Sequence, residues 1–584
     1  MKLILRYMNK KDKIISAVVM IFVIVQVILE TKIPVIMGEI SGLLQQGNMT
    51  AGAVRSKGVE MVLYALIAFA AASIVCWLII DVTSRVSNSM RISVFGKLLD
   101  FSLFEVSSFG TGTLISRCND DIYSVQSFMT QSLQSLIKAP ILLIIVFLRL
   151  SSTKGVWIAM SAAAVALMAV LVFLMFVKIA PLVRRQSIAR DMMIGAAHEH
   201  IYGIRHIHCG NRFSSQEESY DRINGEVVRY GIKSKTILGF FSPTTSMLIY
   251  ILTLAIYISG AFLMQKQGMT EQAAAFSSMV SFVSYITFLF TALINIVLVL
   301  LNVPLLTNAQ GRILEILNQE NSIPDGDFSG PVPEHGTVEF RQVSFAYPEA
   351  KASAVSDLTF KINAGQTVAI IGGTGSGKTT VLNLILRLYE ADKGEILVDG
   401  VKVKDFRLKA LRELIGYVPQ ENYLFSGTIA QNIGYGENGR FRATLEEIQK
   451  AAVTGQADSF IRQKEEGYNA GVQPGGTNFS GGQRQRLTIS RAICRDPEIY
   501  IFDDSFSALD FETDAKLRRA LKKTTEGATV IIVGQRISSV RDADSILVMD
   551  KGRIVDQGTH EELLMRCSVY QEIAASQNPE EKAV

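Results

Sequence analysis

The sequence predicts a six-helix transmembrane domain followed by an α/β domain built around a phosphate-binding P-loop. Three observations carry that expectation. Six apolar runs crowd the first half of the 584 residues, and a break rich in Pro and Gly (Pro324, Asp325, Gly326, Pro331, Pro333) follows them. Beyond the break, Gly372-Gly-Thr-Gly-Ser-Gly-Lys-Thr379 stands between an apolar strand pattern and an apolar helix pattern. The length exceeds one domain, and the expected division is 1–310 for the membrane domain, 311–334 for a linker and 335–584 for the α/β domain.

A helix needs about 20 mainly apolar residues to cross the hydrocarbon core. Ile14 to Ile36, Val59 to Ile80, Leu133 to Leu150, Val156 to Val177, Ile237 to Met264 and Ala273 to Leu301 qualify. The chain is 49% hydrophobic and 19% charged, with a mean hydropathy of +0.28, high for a soluble protein. The basic N-terminal stretch runs into an apolar segment too long for a secretory h-region and lacking a small-residue cleavage site, so it reads as a retained first helix. Its start also leaves no room for a fused peptidase domain, which weighs against a processed-peptide cargo.

Loops after the second and fourth segments are long and basic, with Arg85, Arg91, Lys97 and Arg117 in one and Arg184, Arg185, Arg190, Arg205 and Arg212 in the other. The short loops carry little beyond Arg55, Lys57, Lys154 and Lys266. The positive-inside rule then puts the long loops, both termini and the α/β domain in the cytoplasm of a multi-pass cell-membrane protein. The net charge of +4 is small for this length and gives no argument for a nucleic-acid partner. The long loops have helix-like patterning and read as extensions of the membrane helices, each with a short turn.

Gln26 and Glu30 lie one helical turn apart in the first segment. Glu30 is a candidate for a substrate path, although with Lys32 it also fits the outer interface. Lys138 in the third segment reads as a residue snorkelling to the cytoplasmic face. His198, His200, His206 and His208 lack the spacing of known metal sites and fit a polar loop face. The five cysteines are scattered and fit reduced structural thiols.

In the α/β domain, Thr367-Val-Ala-Ile-Ile371, the glycine loop and the helix through Leu386 form a complete P-loop in its strand–loop–helix context. Gly372, Gly373, Thr374, Gly375, Ser376 and Gly377 let backbone N–H groups wrap phosphates, Lys378 neutralises the outer phosphates and the Thr379 hydroxyl can hold Mg²⁺, with Thr380 following. A second apolar strand, Glu498 to Phe502, delivers Asp503 beside the loop as a Walker B acid that completes the Mg²⁺ shell. Phe479-Ser480-Gly481-Gly482-Gln483 lies between, ahead of a basic helix start.

With these residues in this order, nearly the whole chain resembles the ATP-binding cassette (ABC) transporters of the six-helix exporter type. The resemblance implies ATP and Mg²⁺ as ligands and a helical signature subdomain within the nucleotide-binding domain. Tyr347 looks like the aromatic that stacks on adenine, and Gln420 like the glutamine linked to Mg²⁺ and coupling. Phe479 to Gln483 looks like the LSGGQ signature with Phe for Leu, and Ser507-Ala-Leu-Asp510 like the D-loop. Gly112 to Arg117 and Glu199 with Gly203-Ile-Arg205 look like parts of the exporter loops. In that family the signature of one subunit closes over ATP held by another, so Ser480, Gly481, Gly482 and Gln483 are expected to act in trans and the chain to dimerise.

Three positions depart from the pattern. The family's glutamate after the Walker B aspartate, which handles the attacking water, is replaced by Asp504, one methylene short. A misplacement of about 1 Å can cost on the order of 100-fold in rate. The switch histidine is replaced by Gln535, which hydrogen-bonds phosphate but carries no charge. Val472-Gln-Pro-Gly-Gly476 lacks the common glutamate–arginine pair. The first two changes weaken hydrolysis while leaving ATP binding intact, and this resembles the degenerate-site subunit of heterodimeric bacterial exporters. The expectation is a half-transporter moving an amphipathic or hydrophobic drug, lipid or peptide, with a different partner chain supplying the catalytic glutamate and switch histidine. A slow homodimer, a siderophore importer on the same scaffold and an ATP-gated channel or regulator are the alternatives.

Overall fold

The structure, a computed structural model, describes residues 2–45, 51–150, 155–265, 269–348, 350–436 and 443–577. Lys154 and Lys266 lie outside the described residues. The chain divides into two compact units, Met1–Leu99 with Gly110–Gln319, and Asp100–Phe109 with Glu320–Val584.

The first unit is helical. Its long helices are Lys10–Gln45, Ala51–Leu99, Ile122–Leu150, Gly155–Tyr202, Phe213–Met264 and Met269–Asn318. Each contains a stretch long and apolar enough to cross a membrane. At 1.5 Å per residue even the shortest of them, the 29-residue Ile122–Leu150, reaches about 44 Å, beyond the ~30 Å of hydrocarbon. The apolar windows therefore mark only part of each helix, and the long loops are helical extensions closed by short turns. Thr111–Ser116 and a π-helical turn, Arg117–Asp121, close the first; Ile204–Cys209 closes the second. Within that first extension, Arg117 pairs with Glu315 at 2.7 Å and Asp121 with Arg312 at 2.5 Å, tying it to the end of the sixth helix.

The first, second, third and sixth long helices pack on one another, while the fourth and fifth pair mainly together. Val19, Val23, Val27, Val146, Phe282 and Phe290 form the buried centre. Gly38 and Gly42, one turn apart on the first helix, let it approach the sixth closely; a Cβ on Gly38 would collide with Ser277 and Ser281. This is the small-residue packing that substitutes for a hydrophobic driving force in lipid.

One sequence expectation changes here. Glu30 is followed by fifteen more helical residues, about 22 Å, so its helix runs well past it. Lys138 does not reach for the cytoplasmic face: its Nζ lies 2.9 Å from Glu30 Oε1. The reason is that Ile122–Leu150 begins eleven residues before the apolar window, which places Lys138 mid-helix.

In the second unit the strands are β1 (Val338–Phe345), β2 (Val355–Ile362), β3 (Thr367–Gly372), β4 (Lys393–Val398), β5 (Val401–Lys402), β6 (Ile415–Val418), β7 (Gly427–Thr428), β8 (Gly471–Val472), β9 (Ile499–Asp503), β10 (Thr529–Gly534), β11 (Ser545–Asp550) and β12 (Arg553–Gly558). A four-stranded sheet runs β2-β1-β4-β5, and a six-stranded sheet runs β12-β11-β3-β10-β9-β6. In the larger sheet β11, β3, β10, β9 and β6 are parallel, and β9 is buried along its whole length, the signature of a sheet covered on both faces. Gly534 pairs with Ile371 and Val533 with Asp503, so β3, β9 and β10 end together, where ligands bind in parallel α/β sheets. Leu445–Thr454 and Gly481–Cys494 belong to a helical subdomain with its own core, including Ile429, Ile433, Phe460, Phe479 and Leu487.

The segment Asp100–Phe109 groups with this unit through Glu105, whose carboxylate accepts from Ser102 N at 2.7 Å and Ser322 N at 2.9 Å. Burial works against its ionisation, but those hydrogen bonds outweigh it and hold the carboxyl below its ordinary range.

Candidate functional site

β3 delivers the glycine loop, and Lys378–Ile385 continues it as a helix. Gly375 (φ 78°) and Gly377 (φ 98°) take left-handed backbone angles that a side chain resists. No atom lies within 4 Å of where a Cβ on Gly373 or Gly375 would sit, so this side of the loop is open to a ligand. The buried Lys378 ammonium donates to the carbonyls of Gly372 and Gly373, both at 2.8 Å. Burial lowers its pKa, while Asp503 and Asp504 pull the other way.

Asp503, at the end of β9, is buried. Burial pushes its carboxyl up, opposed by hydrogen bonds from the Thr379 and Tyr417 hydroxyls and by the Lys378 charge. Asp504 follows in a left-handed conformation (φ 47°), its N–H donating to Val533 O at 3.0 Å. Burial raises its pKa too, against the charges of Arg536 and Lys378.

One cleft gathers Tyr347, Thr374, Gly375, Ser376, Gly377, Lys378, Thr379, Thr380, Gln420, Asp503, Asp504 and Gln535, together with Ala354 and Val533. Gly372 and Gly373 do not line it and are linked to it through their carbonyls on Lys378 Nζ. A carboxylate, a hydroxyl and an amide oxygen from Asp503, Thr379 and Gln420 are hard oxygen donors of the kind Mg²⁺ takes, and they fit a magnesium nucleotide. Tyr347 is fixed on three sides: its hydroxyl lies 3.1 Å from Thr380 Oγ1, and its ring meets Phe345 and Tyr389 edge-on at 5.1 Å each.

Ser480, Gly481, Gly482 and Gln483 do not line this cleft. They start the helix Gly481–Cys494, where Ser480 Oγ accepts from Gln483 N while Gln483 reaches back to Ser480 N, a complete capping box. A Cβ on Gly482 would sit 3.3 Å from Ala508 O, so this helix start packs on the D-loop, but Gly481 faces open space. The result is a pre-formed, exposed helix N-terminus of the sort that receives anions.

Sequence reasoning missed Tyr417 as the second hydroxyl on Asp503 and Tyr389 as the second ring on Tyr347. Both contacts join segments distant in sequence. The only prior signal was their aromatic character close to already recognised motifs.

Comparison with known proteins agrees with this architecture. The family description "ABC transporter transmembrane region" matches residues 16–293, and "ABC transporter" matches residues 355–507. The ABC transporter ATP-binding protein YfiB of Bacillus subtilis (strain 168) is 30% identical over 578 residues, 97% of each chain. The probable multidrug resistance ABC transporter ATP-binding/permease protein YheI of the same organism is 32% identical over 489 residues, 83% of this chain and 81% of YheI. A solved structure of a bacterial Atm1-family ABC exporter with ATP bound shares the fold with a TM-score of 0.84 and 23% identity, covering 97% of this chain and 99% of that one.

Proposed function

Because this chain belongs to the ABC transporter family, with both the membrane region and the ATP-binding cassette, we propose that it is the less hydrolytic half of a heterodimeric exporter. The family supplies the coarse statement: a multi-pass membrane ATPase that couples ATP to transport and works as a dimer. The finer reading rests on one observation. Tyr347, Thr374 to Thr380, Gln420 and Asp503 share a single cleft with Asp504 and Gln535, while Ser480 to Gln483 stand outside it with Gly481 facing open space.

In this reading Tyr347 stacks on adenine, the glycine loop wraps the phosphates with its N–H groups, and Lys378 turns from Gly372 and Gly373 to the outer phosphates. Thr379, Gln420 and Asp503 would hold Mg²⁺, which would offset the charge of the phosphates. Asp504 has the right neighbours for a base but a side chain one methylene shorter than glutamate. Gln535 offers a hydrogen bond without a cation. ATP held here therefore joins two cassettes and turns over slowly. Ser480 to Gln483 complete the faster site on a different partner chain carrying the glutamate and histidine. The cassette lies on the cytoplasmic side, and the cargo is an amphipathic or hydrophobic drug, lipid or peptide carried outward.

Asp504 reaching the same cleft also favours a second reading, a slow homodimer that uses it as a weak base. The two are separated by ATPase assays on the purified chain, alone and co-expressed with a candidate partner cassette protein carrying the glutamate and histidine. The heterodimer reading expects a low rate alone and a large rise with the partner. Full activity from the chain alone sinks it.

A further inference from the structure

The membrane unit holds an ion pair that the nucleotide chemistry does not use. Glu30 Oε1 on the first long helix accepts from Gln26 Nε2 at 2.7 Å and from Lys138 Nζ on the third at 2.9 Å. Glu30 Oε2 has no hydrogen-bond partner among the described residues, and Lys138 uses one of its three N–H donors. The Lys138 and Glu30 side chains are 28% and 23% exposed, so the pair is reachable rather than sealed.

The sixth long helix supplies a third member. Asn302 Nδ2 donates to Gln131 Oε1 at 2.9 Å, which shows that these two faces meet. Two helical turns outward from Gln131 on its own helix is Lys138, and two turns outward from Asn302 is Asn295. On the other side, Tyr285 donates to Thr31 O at 3.0 Å, beside Glu30. Asn295 thus stands at the level of Lys138, about 15 Å along the sixth helix from Tyr285, the contact beside Glu30. It is half-buried, and its amide has no hydrogen-bond partner among the described residues. Thr287 and Thr291 are exposed along the same helix, their hydroxyls donating to Val283 O at 3.2 Å and Thr287 O at 2.8 Å. Polar and charged groups at membrane depth rarely face lipid; they face protein or a hydrated space.

We propose that Glu30, Lys138 and Asn295 form a recognition site for a zwitterionic group, an ammonium beside a carboxylate or phosphate, on the transported substrate. The open Glu30 oxygen receives the ammonium, the unused Lys138 donors receive the anion, and Asn295, at the Lys138 level, hydrogen-bonds the anion. A neutral pair meeting a neutral zwitterion leaves no net charge in a medium of low dielectric. A singly charged ligand would strand one charge, and stranded charges in such surroundings are costly. This site rests on the transporter reading and narrows its substrate class.

The test uses the full chain with its partner in nanodiscs. Trialanine, its N-acetyl form and its C-terminal amide are compared as binding probes, with phosphatidylethanolamine against phosphatidylglycerol nanodiscs as the lipid arm. The site predicts that free trialanine, or the phosphatidylethanolamine headgroup, is preferred by at least about tenfold over the singly charged forms. It also predicts that Glu30→Gln with Lys138→Met abolishes the preference. A preference in the lipid arm alone assigns the site to a headgroup. No preference in either arm, or one that survives the double variant, overturns the proposal. If the double variant does not fold, Asn295→Ala disturbs no charge and is expected to weaken the preferred probe several-fold; an unchanged affinity overturns the proposal. ATP binding by the wild-type complex is measured alongside. Its loss would count against the transporter reading, whereas intact ATP binding without probe discrimination counts against this site alone.

Discussion

At Asp504 the backbone turns through φ 47°, a region that Asp and Asn enter several-fold more readily than most residues with side chains. Aspartate suits that backbone better than glutamate, while glutamate would reach further into the cleft. Residue-level conformation and chemistry thus favour different side chains at one position. Asp399 shows a different tension. Fully buried, it accepts from Thr337 N at 2.8 Å, yet its Oδ2 has no hydrogen-bond partner among the described residues, and burial pushes the carboxyl up to about 6. A carboxyl raised in the folded state binds more protons there than in the unfolded chain between about pH 4 and 6. Stability therefore falls as pH rises through that window, by about 3 kcal/mol in all, and stays reduced above it. Asp399→Asn keeps the acceptor for Thr337 and removes the titration. Thermal melts of the variant are expected to be flatter than wild type between pH 4.5 and 7, on the order of the shift just given; an unchanged pH slope contradicts the assignment.

At the scale of elements, legibility followed the range of the interactions. The glycine loop, the Thr379 hydroxyl and Asp503 announce themselves because strand, turn and helix follow one another directly. The six membrane helices were legible in number, and their extensions in the helix-like patterning of the long loops, but not the register of one helix against another. That is also why the Glu30–Lys138 pair was hidden: its members stand 108 residues apart on helices whose true register only packing reveals. Tyr417 on Asp503 depends on β6 lying beside β9, an order set by the whole sheet. The helix Gly481–Cys494 offers a test at this scale. Ser480→Ala removes the capping bond and is expected to cost about 1 kcal/mol of cassette stability. Ser480→Asp retains a good cap but sets a carboxylate where phosphate is expected. Melting curves for the aspartate variant should match wild type while ATPase of the two-chain complex falls steeply. Normal ATPase would remove this helix start from the partner's site.

Across the whole molecule, in the assembly proposed, the membrane unit and the cassette each supply part of a site that a second chain completes. The cassette holds its own nucleotide cleft but turns its signature outward, and the membrane helices expose polar groups that lipid does not favour. Both features make sense in an assembly of two chains. The two differ in what they ask of the partner: the outward signature fits any second cassette, whereas Asp504 and Gln535 favour one with stronger hydrolytic groups.

The most direct test is to count the nucleotide. The two-chain complex is loaded with labelled ATP, allowed to turn over at steady state, quenched, and its bound ATP and ADP are measured. Slow turnover in this chain's cleft predicts about one ATP retained per complex while the other site cycles, with the retained fraction lost on Asp504→Glu combined with Gln535→His. Bound nucleotide that turns over uniformly, with the same fraction of ATP in wild type and in that variant, would contradict the account.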